Sequence, residues 1–311
     1  MKKKIICLLA LLALMLSGCG SPAKSHKLQV VAAIFPEYDW VRQIAAGDDS
    51  LELTLLVDDG VDLHSFQPSV KDMVTVSQSD LLIFGGGESD EWLEDALDEE
   101  SGSHRQVIRL LPLLGTNAHR AEVVEGMQVR EEEDETDEHV WLSLRNAALF
   151  CTAIADSLCT LNPGKAALYR ANLETYLAQL QALDEAYRQT VSAGKRNTIV
   201  VCDRFPFRYL VEDYGLNYYA AFPGCSAETG ASFETVVFLA DRVRALELNA
   251  LLVTESSDGR LAHTVADNSG RLNIAVLTLN SMQAVSAEEA KSSSYLSIME
   301  QNRLVLEQAL G

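Results

Sequence analysis

Four side chains that can bind a metal ion lie next to predicted strands or helices: His64, His139, Cys202 and Asn280. His64 and Asn280 each follow an apolar run that predicts a strand, and Cys202 ends another. His139 precedes a helical pattern. Ligands of open α/β sheets bind outside the carboxyl ends of the strands. Two imidazoles, a thiol and an amide oxygen there would form a four-ligand site, softer in character than an all-oxygen one.

Each candidate also has a plainer interpretation. A histidine in a polar loop, such as His64, is often only an exposed loop residue. Cys202 could be a buried, inert thiol or one half of a disulfide with Cys225. The sequence contains no H-E-x-x-H, no G-x-S-x-G and no complete P-loop motif, so none of these common catalytic or nucleotide-binding signatures competes with the metal site.

Two α/β halves must position these side chains. Short apolar runs separated by helical patterns or loops give the βαβ rhythm of a mostly parallel sheet. The predicted strands of the first half are 28–34, 51–57, 81–84 and 107–110, and those of the second are 198–201, 217–221, 250–254 and 274–278. Because each half supplies two of the four candidates, we expect the site in the cleft between two lobes.

A long amphipathic helix is predicted between the halves. Its apolar stripe has spacings of four and three residues: Tyr169, Leu173, Tyr176, Leu180, Leu183 and Tyr187. About 28 residues at 1.5 Å each give a rod of ~42 Å, long enough to cross a domain. We therefore predict a rigid connector at 164–194 between lobes at 28–163 and 195–311. An ordinary core helix of one domain is the alternative.

The first residues indicate export and a membrane anchor. Three lysines precede an apolar run at 5–16, which is shorter than the roughly 20 residues that span a bilayer. This predicts a signal peptide at 1–18. The run ends in Leu-Ser-Gly-Cys, which resembles a bacterial lipobox with Cys19 as the lipidated residue. A polar tether at 19–27 would follow, and a plain secretory signal is the alternative.

Composition narrows the possible partners. With 48% hydrophobic and 23% charged residues, the chain is neither disordered overall nor fibrous. Its formal net charge of −20 argues against nucleic acid and favours a cationic ligand. Seven of the eight residues at 131–138 are acidic, and we expect this stretch to be solvated. It is either a plain surface loop or one that attracts divalent cations.

From residue 28 to residue 310 the sequence resembles the zinc- and manganese-binding lipoproteins of bacterial ABC importers, the cluster A-I solute-binding proteins. Four blocks carry the resemblance: 61–69 with His64, 137–142 with His139, 202–205 with the following 214–216, and 279–282. The chain departs from the family pattern at three positions. Cys202 replaces a histidine or glutamate, Asn280 replaces an aspartate, and Glu138 replaces a proline.

The resemblance implies two α/β lobes joined by a rigid helix, with the metal bound in the cleft between them. It also implies a monomeric, lipid-anchored extracytoplasmic receptor that passes a transition metal to a membrane permease without catalysis. We expect Zn²⁺, because a thiolate and imidazoles suit it better than Mn²⁺, which prefers carboxylates. The alternatives are a manganese or iron receptor, a degenerate relative that binds no metal, and a secreted metal-dependent hydrolase with Glu255 or the loop acids as base.

Overall fold

The fold was analysed in a computed structural model, which describes residues 27–98, 105–128, 136–225 and 230–311. The predicted signal peptide, Cys19 and the acidic residues 131–135 lie outside these ranges. None of the helices within them is both long and apolar enough to cross a membrane.

The first lobe is built on a parallel four-stranded sheet in the order β2-β1-β3-β4. The strands are β1 (Leu28–Ala32), β2 (Leu51–Leu55), β3 (Leu81–Phe84) and β4 (Gln106–Arg109). The helices that accompany them are α1 (Phe35–Ile44), α2 (Val70–Ser77), α3 (Glu91–Asp98), α4 (Leu110–Leu114) and α5 (Leu144–Leu161). β3 is fully buried, as expected for an uninterrupted apolar strand at the centre of a parallel sheet.

The second lobe repeats this topology with the strand order β6-β5-β7-β8. Its strands are β5 (Thr198–Phe205), β6 (Asn217–Pro223), β7 (Ala250–Val253) and β8 (Ala275–Thr278). Its helices are α7 (Arg208–Tyr214), α8 (Phe233–Ala245), α9 (Arg260–Asn268), α10 (Ala287–Ser292) and α11 (Tyr295–Leu310). The predicted architecture of two parallel-sheet lobes is therefore confirmed.

One helix of 28 residues, α6 (Ala166–Ala193), joins the two lobes. It packs on α1 and α5 of the first lobe and on α11, which closes the second. Five of the six residues in the predicted stripe are buried, and Leu173 is partly buried. The apolar periodicity of the sequence therefore identifies the face of the helix that packs against both lobes.

Hydrogen bonds hold the lobes against each other. The indole of Trp141 donates to the carbonyl oxygen of Ser281 over 2.8 Å, and the amide of Leu63 donates to the carbonyl oxygen of Gln283 over 3.1 Å. Arg204 on β5 forms an ion pair with Asp62 of the first lobe. The loops that follow β2 and β8 are thereby held face to face across the cleft.

Candidate metal centre

His64 lies in a short 3-10 turn, Leu63–Ser65, in the loop between β2 and α2. The Asp62 carboxylate accepts a hydrogen bond from the His64 amide over 3.0 Å and so caps the turn. Leu63 is buried and anchors the turn to the core. These contacts fix the backbone of His64 and direct its side chain into the cleft.

His139 lies just before the 3-10 turn Val140–Leu142, and its side chain is fully buried. One oxygen of Asp137 accepts from both the His139 backbone amide and its Nδ1, each over 2.9 Å. All three residues of the turn are buried. The ring is therefore held by a carboxylate on one side and by a packed turn on the other.

The two imidazoles meet at their Nε2 atoms, 3.3 Å apart. Each Nδ1 has an oxygen partner, Asp137 for His139 and the Ser89 hydroxyl, at 2.7 Å, for His64. Ser89 also donates to the Glu138 carboxylate, so its oxygen accepts the Nδ1 hydrogen of His64. In the neutral rings, hydrogen on both Nδ1 atoms leaves a lone pair on each Nε2 atom, as in metal-binding histidines.

The surroundings give the two rings different proton affinities. Burial, together with the neighbouring His139, lowers the pKa of His64 to about 4. Burial also disfavours a charge on His139, but the charge and hydrogen bond of Asp137, together with the nearby Glu138 and Asp62 carboxylates, outweigh it, and the pKa of His139 is raised. His64 is therefore neutral near pH 7 and available as a ligand without losing a proton.

Cys225 supplies a third donor to the imidazole pair. Its Sγ and one nitrogen of each histidine all lie within 4.8 Å of one another. Gly224, just after β6, makes this approach possible, because a Cβ there would come within 3.0 Å of the His139 ring. Two imidazoles and a thiol in one pocket form a donor set typical of zinc sites.

The side-chain amide of Gln283 lies beside both imidazoles. Its side-chain Nε2 lies 2.7 Å from His64 Nε2 and 2.9 Å from His139 Nε2. The Glu255 carboxylate accepts hydrogen bonds from the Ser281 and Gln283 amides and from the Ser281 hydroxyl. The loop after β8 is thus held by the partly buried carboxylate of Glu255.

Of the four residues predicted as ligands, the structure brings His64 and His139 together. Cys202 is buried on β5 in the apolar cluster of the second lobe, and burial raises the pKa of its thiol. It does not belong to the donor group that the described residues form around the histidines. Asn280 instead uses its Oδ1 to accept from the Met282 amide over 2.8 Å.

The end of the acidic stretch also differs from the prediction. Asp137 and Glu138 are 4% and 3% exposed, although a solvated segment was expected. They are buried because each has partners, His139 for Asp137, and Ser89 with His64 for Glu138. Gly87 leaves the space for Glu138, since a Cβ at Gly87 would overlap that carboxylate.

Cys225, Gln283 and Glu138 are the site residues that the sequence did not identify as such. Glu138 had a signal, since it occupies the position of a proline in the resembled Asp-Pro-His block. Cys225 appeared only as a possible disulfide partner. Gln283 lies three residues after Asn280, within the same loop as the predicted fourth ligand.

A family model described as the periplasmic component A of a zinc-uptake complex matches residues 30–309. The zinc-binding lipoprotein AdcA of Streptococcus pneumoniae serotype 4 is 28% identical over 314 residues, which cover 99% of this chain and 61% of AdcA. The chain thus spans about three fifths of the length of that relative. The high-affinity zinc uptake system protein ZnuA of Bacillus subtilis is 25% identical, with 96% and 94% covered.

Among solved structures, the Zn(II)-bound ZnuA-like domain of Streptococcus pneumoniae AdcA matches with a TM-score of 0.73 and 26% identity. The match covers 91% of this chain and 99% of that domain. The likeness therefore extends through both lobes and the helix that joins them.

Proposed function

Because the chain belongs to the family of zinc-uptake complex component A, we propose that it is an extracytoplasmic receptor that binds Zn²⁺ and delivers it to the permease of an ABC importer. His64, His139 and Cys225 are the proposed primary donors. The zinc-binding relatives support the choice of metal, and the signal and lipobox pattern supports a lipid anchor at Cys19.

The observation that carries the proposal is the distance of 3.3 Å between the Nε2 atoms of His64 and His139. In a tetrahedral site, two nitrogens that are each about 2.05 Å from zinc lie about 3.3 Å apart. The two nitrogens are therefore already at the separation that a shared zinc ion requires. Their Nδ1 partners already hold them in the tautomer that zinc requires.

The donor chemistry favours zinc over manganese. Imidazole and thiolate are the softer ligands that Zn²⁺ accepts, whereas Mn²⁺ prefers carboxylates and water. The carboxylates at this site, Asp137 and Glu138, contact the Nδ1 side of the imidazoles. They orient the ligands and supply negative charge around the ion.

The hydrolase alternative has less support. A metal-dependent hydrolase needs a base placed beside an open coordination position. Glu255, the candidate base, accepts three hydrogen bonds from Ser281 and Gln283, and so holds a loop in place. A receptor needs only the donors and the cleft.

Zinc affinity measured by competition with a chromophoric chelator tests the proposal. The parent should bind one Zn²⁺ tightly. His64→Ala and His139→Ala should each weaken binding at least about 100-fold, since loss of even an outer-shell partner costs 10–100-fold. His263→Ala, in the second lobe on α9, is the matched control and should bind like the parent. Parent protein that binds no metal would indicate the degenerate relative instead.

A further inference from the structure

Two buried carboxyl groups lie at the ends of neighbouring strands in the first lobe. Glu37, in the first turn of α1, is fully buried, and its Oε2 accepts from the Ala33 and Ile34 amides over 2.9 and 3.2 Å, just past the end of β1. Asp90 is 5% exposed, and its Oδ2 accepts from the Gly86 amide over 3.2 Å, just past the end of β3. Because β1 and β3 are adjacent in the sheet, the two carboxyl groups are close enough to interact electrostatically.

Neither carboxyl group has a cation that would balance a negative charge. Their hydrogen-bond donors are backbone amides, and neither group forms an ion pair in the described part of the chain. The charges of Glu138 and Glu94 both disfavour ionisation of Asp90, and Glu94 is itself paired with Arg109. A buried carboxylate without a cationic partner is so costly that such a group takes up a proton instead. Two of them close together also repel each other.

The second oxygen of Glu37 also indicates the neutral form. Its Oε1 is buried and has no hydrogen-bond partner among the described residues. If Glu37 were ionised, this oxygen would be a charged acceptor with no donor, whereas a proton on it removes the charge. Burial and the charge of Asp90 raise the pKa of Glu37 well above its usual value, and burial together with Glu138 raises the pKa of Asp90 to about 7.

We propose that Glu37 and Asp90 together hold a proton in the folded protein at neutral pH, and that this proton stabilises the first lobe. In the unfolded chain both groups are in water and ionise above about pH 4.3, so unfolding releases the proton. The stabilisation is fully present below that pH and is lost as the pH rises through the range in which the folded pair ionises. The inference does not rest on the proposed function, because it concerns the folding of the lobe and not its metal.

Urea unfolding of an amide variant at intervals from about pH 5 to about pH 8 tests the inference. Glu37→Gln has nearly the same shape as the parent residue but cannot ionise. The unfolding equilibrium constant of the parent, divided by that of Glu37→Gln, should rise about tenfold for each pH unit between about 5 and 7, as expected for one proton released on unfolding. Glu174→Gln, exposed on α6, is the matched control, and its ratio should not change with pH.

Infrared spectroscopy at pH 7 detects the proton directly. The folded parent should show the carbonyl stretching band of a protonated carboxyl group, and the double variant with Glu37→Gln and Asp90→Asn should lose that band. If the double variant fails to fold, Glu37→Gln alone takes its place, and the band should weaken or shift. The spectrum of the parent needs no variant, so this measurement remains decisive even if the substitutions disturb folding.

Three results would overturn the inference. The first is a parent spectrum without a protonated carboxyl band at pH 7. The second is a band that persists unchanged in the amide variants, which would assign the proton to another acid such as Asp213, whose pKa burial also raises. The third is a ratio of unfolding constants that stays the same across the pH range. A pure packing effect of Glu37→Gln would change that ratio by the same factor at every pH, so it cannot imitate the loss of a proton.

Discussion

At the scale of single residues, the outer contacts of the histidines matter as much as the histidines. A lone imidazole can present either nitrogen to a ligand, and the tautomer is set by whatever the other nitrogen contacts. Here Asp137 and the Ser89–Glu138 pair take the two Nδ1 hydrogens. These contacts therefore leave the Nε2 atom of each neutral ring as the proposed ligand atom.

At the residue scale, we predict that Cys225, rather than Cys202, is the cysteine that binds zinc. Cys225→Ser should weaken zinc binding at least about tenfold, because a hydroxyl is a much poorer zinc ligand than a thiolate. The Co²⁺-substituted parent should show the sulfur-to-metal charge-transfer band in the near ultraviolet, and the variant should lose it.

Cys202→Ser is the matched control, since its thiol lies in the apolar cluster of the second lobe. It should keep zinc affinity and the cobalt band while losing some stability, because it buries a hydroxyl among apolar groups. A cobalt band that disappears in Cys202→Ser and persists in Cys225→Ser would reverse the assignment.

At the scale of elements, Asp48 ties the start of the linking helix to the first lobe. Its carboxylate accepts from the Ser50 amide and hydroxyl over 2.9 and 2.6 Å, and from Tyr169 of α6. Lys165, just before the helix, lies 3.5 Å away. Burial alone would raise the pKa of Asp48, but the Ser50 and Tyr169 bonds lower it to about 2.

Replacing this carboxylate should therefore destabilise the protein in a pH-dependent way. Asp48→Asn should lower the free energy of unfolding by about 2 kcal/mol at pH 7, the range for hydrogen bonds to a charged group. The pKa of Asp48 is lower in the folded protein than in the unfolded chain, where it is near 3.9. The ionised carboxylate therefore stabilises the fold above about pH 3.9. That stabilisation is lost as the pH falls toward about 2. The difference in unfolding free energy between parent and variant should therefore narrow as the pH falls from about 3.9 to about 2.

Urea unfolding measures this difference in unfolding free energy. It is done at pH 7 and at intervals between pH 4.5 and 2.5, wherever the parent is still folded. Asp156→Asn is the control, because Asp156 is 61% exposed and its ion pair with Arg170 is a surface contact. It should change stability by less than about 0.5 kcal/mol. An Asp48→Asn gap that stays constant with pH would assign the effect to packing alone.

At the scale of the whole molecule, the proposed metal centre lies where the two lobes meet. His64 and His139 belong to the first lobe, and Cys225 and Gln283 belong to the second. The rigid helix and the hydrogen bonds across the cleft hold these pairs at ligand distance from each other. Opening of the cleft would separate the two histidines from Cys225, which suits the proposed role of a receptor that must also release its ion.

At the scale of the whole molecule, we predict that a lipid on Cys19 anchors the protein to the membrane. The parent expressed in a bacterium should fractionate with membranes, since each buried acyl CH₂ contributes about 0.8 kcal/mol. Cys19→Ala should be released into the soluble extracytoplasmic fraction or remain unprocessed. Cys159→Ala, within the folded body, should fractionate like the parent. Processed Cys19→Ala protein found wholly in the membrane fraction would contradict lipidation at this residue.

The sequence by itself determined the elements and the topology class. Period-two and period-3.6 apolar patterns are local, so the strands and the long helix could be predicted within a few residues. His64 and His139 were predicted together because each stands in a distinctive block. Only the tertiary structure shows Cys225 grouped with the two histidines, and Gln283 beside their Nε2 atoms, where Cys202 and Asn280 were expected. Those choices depend on which way a side chain points at the end of a strand, where one residue reverses its direction. They also depend on how two lobes, distant in sequence, meet across a cleft.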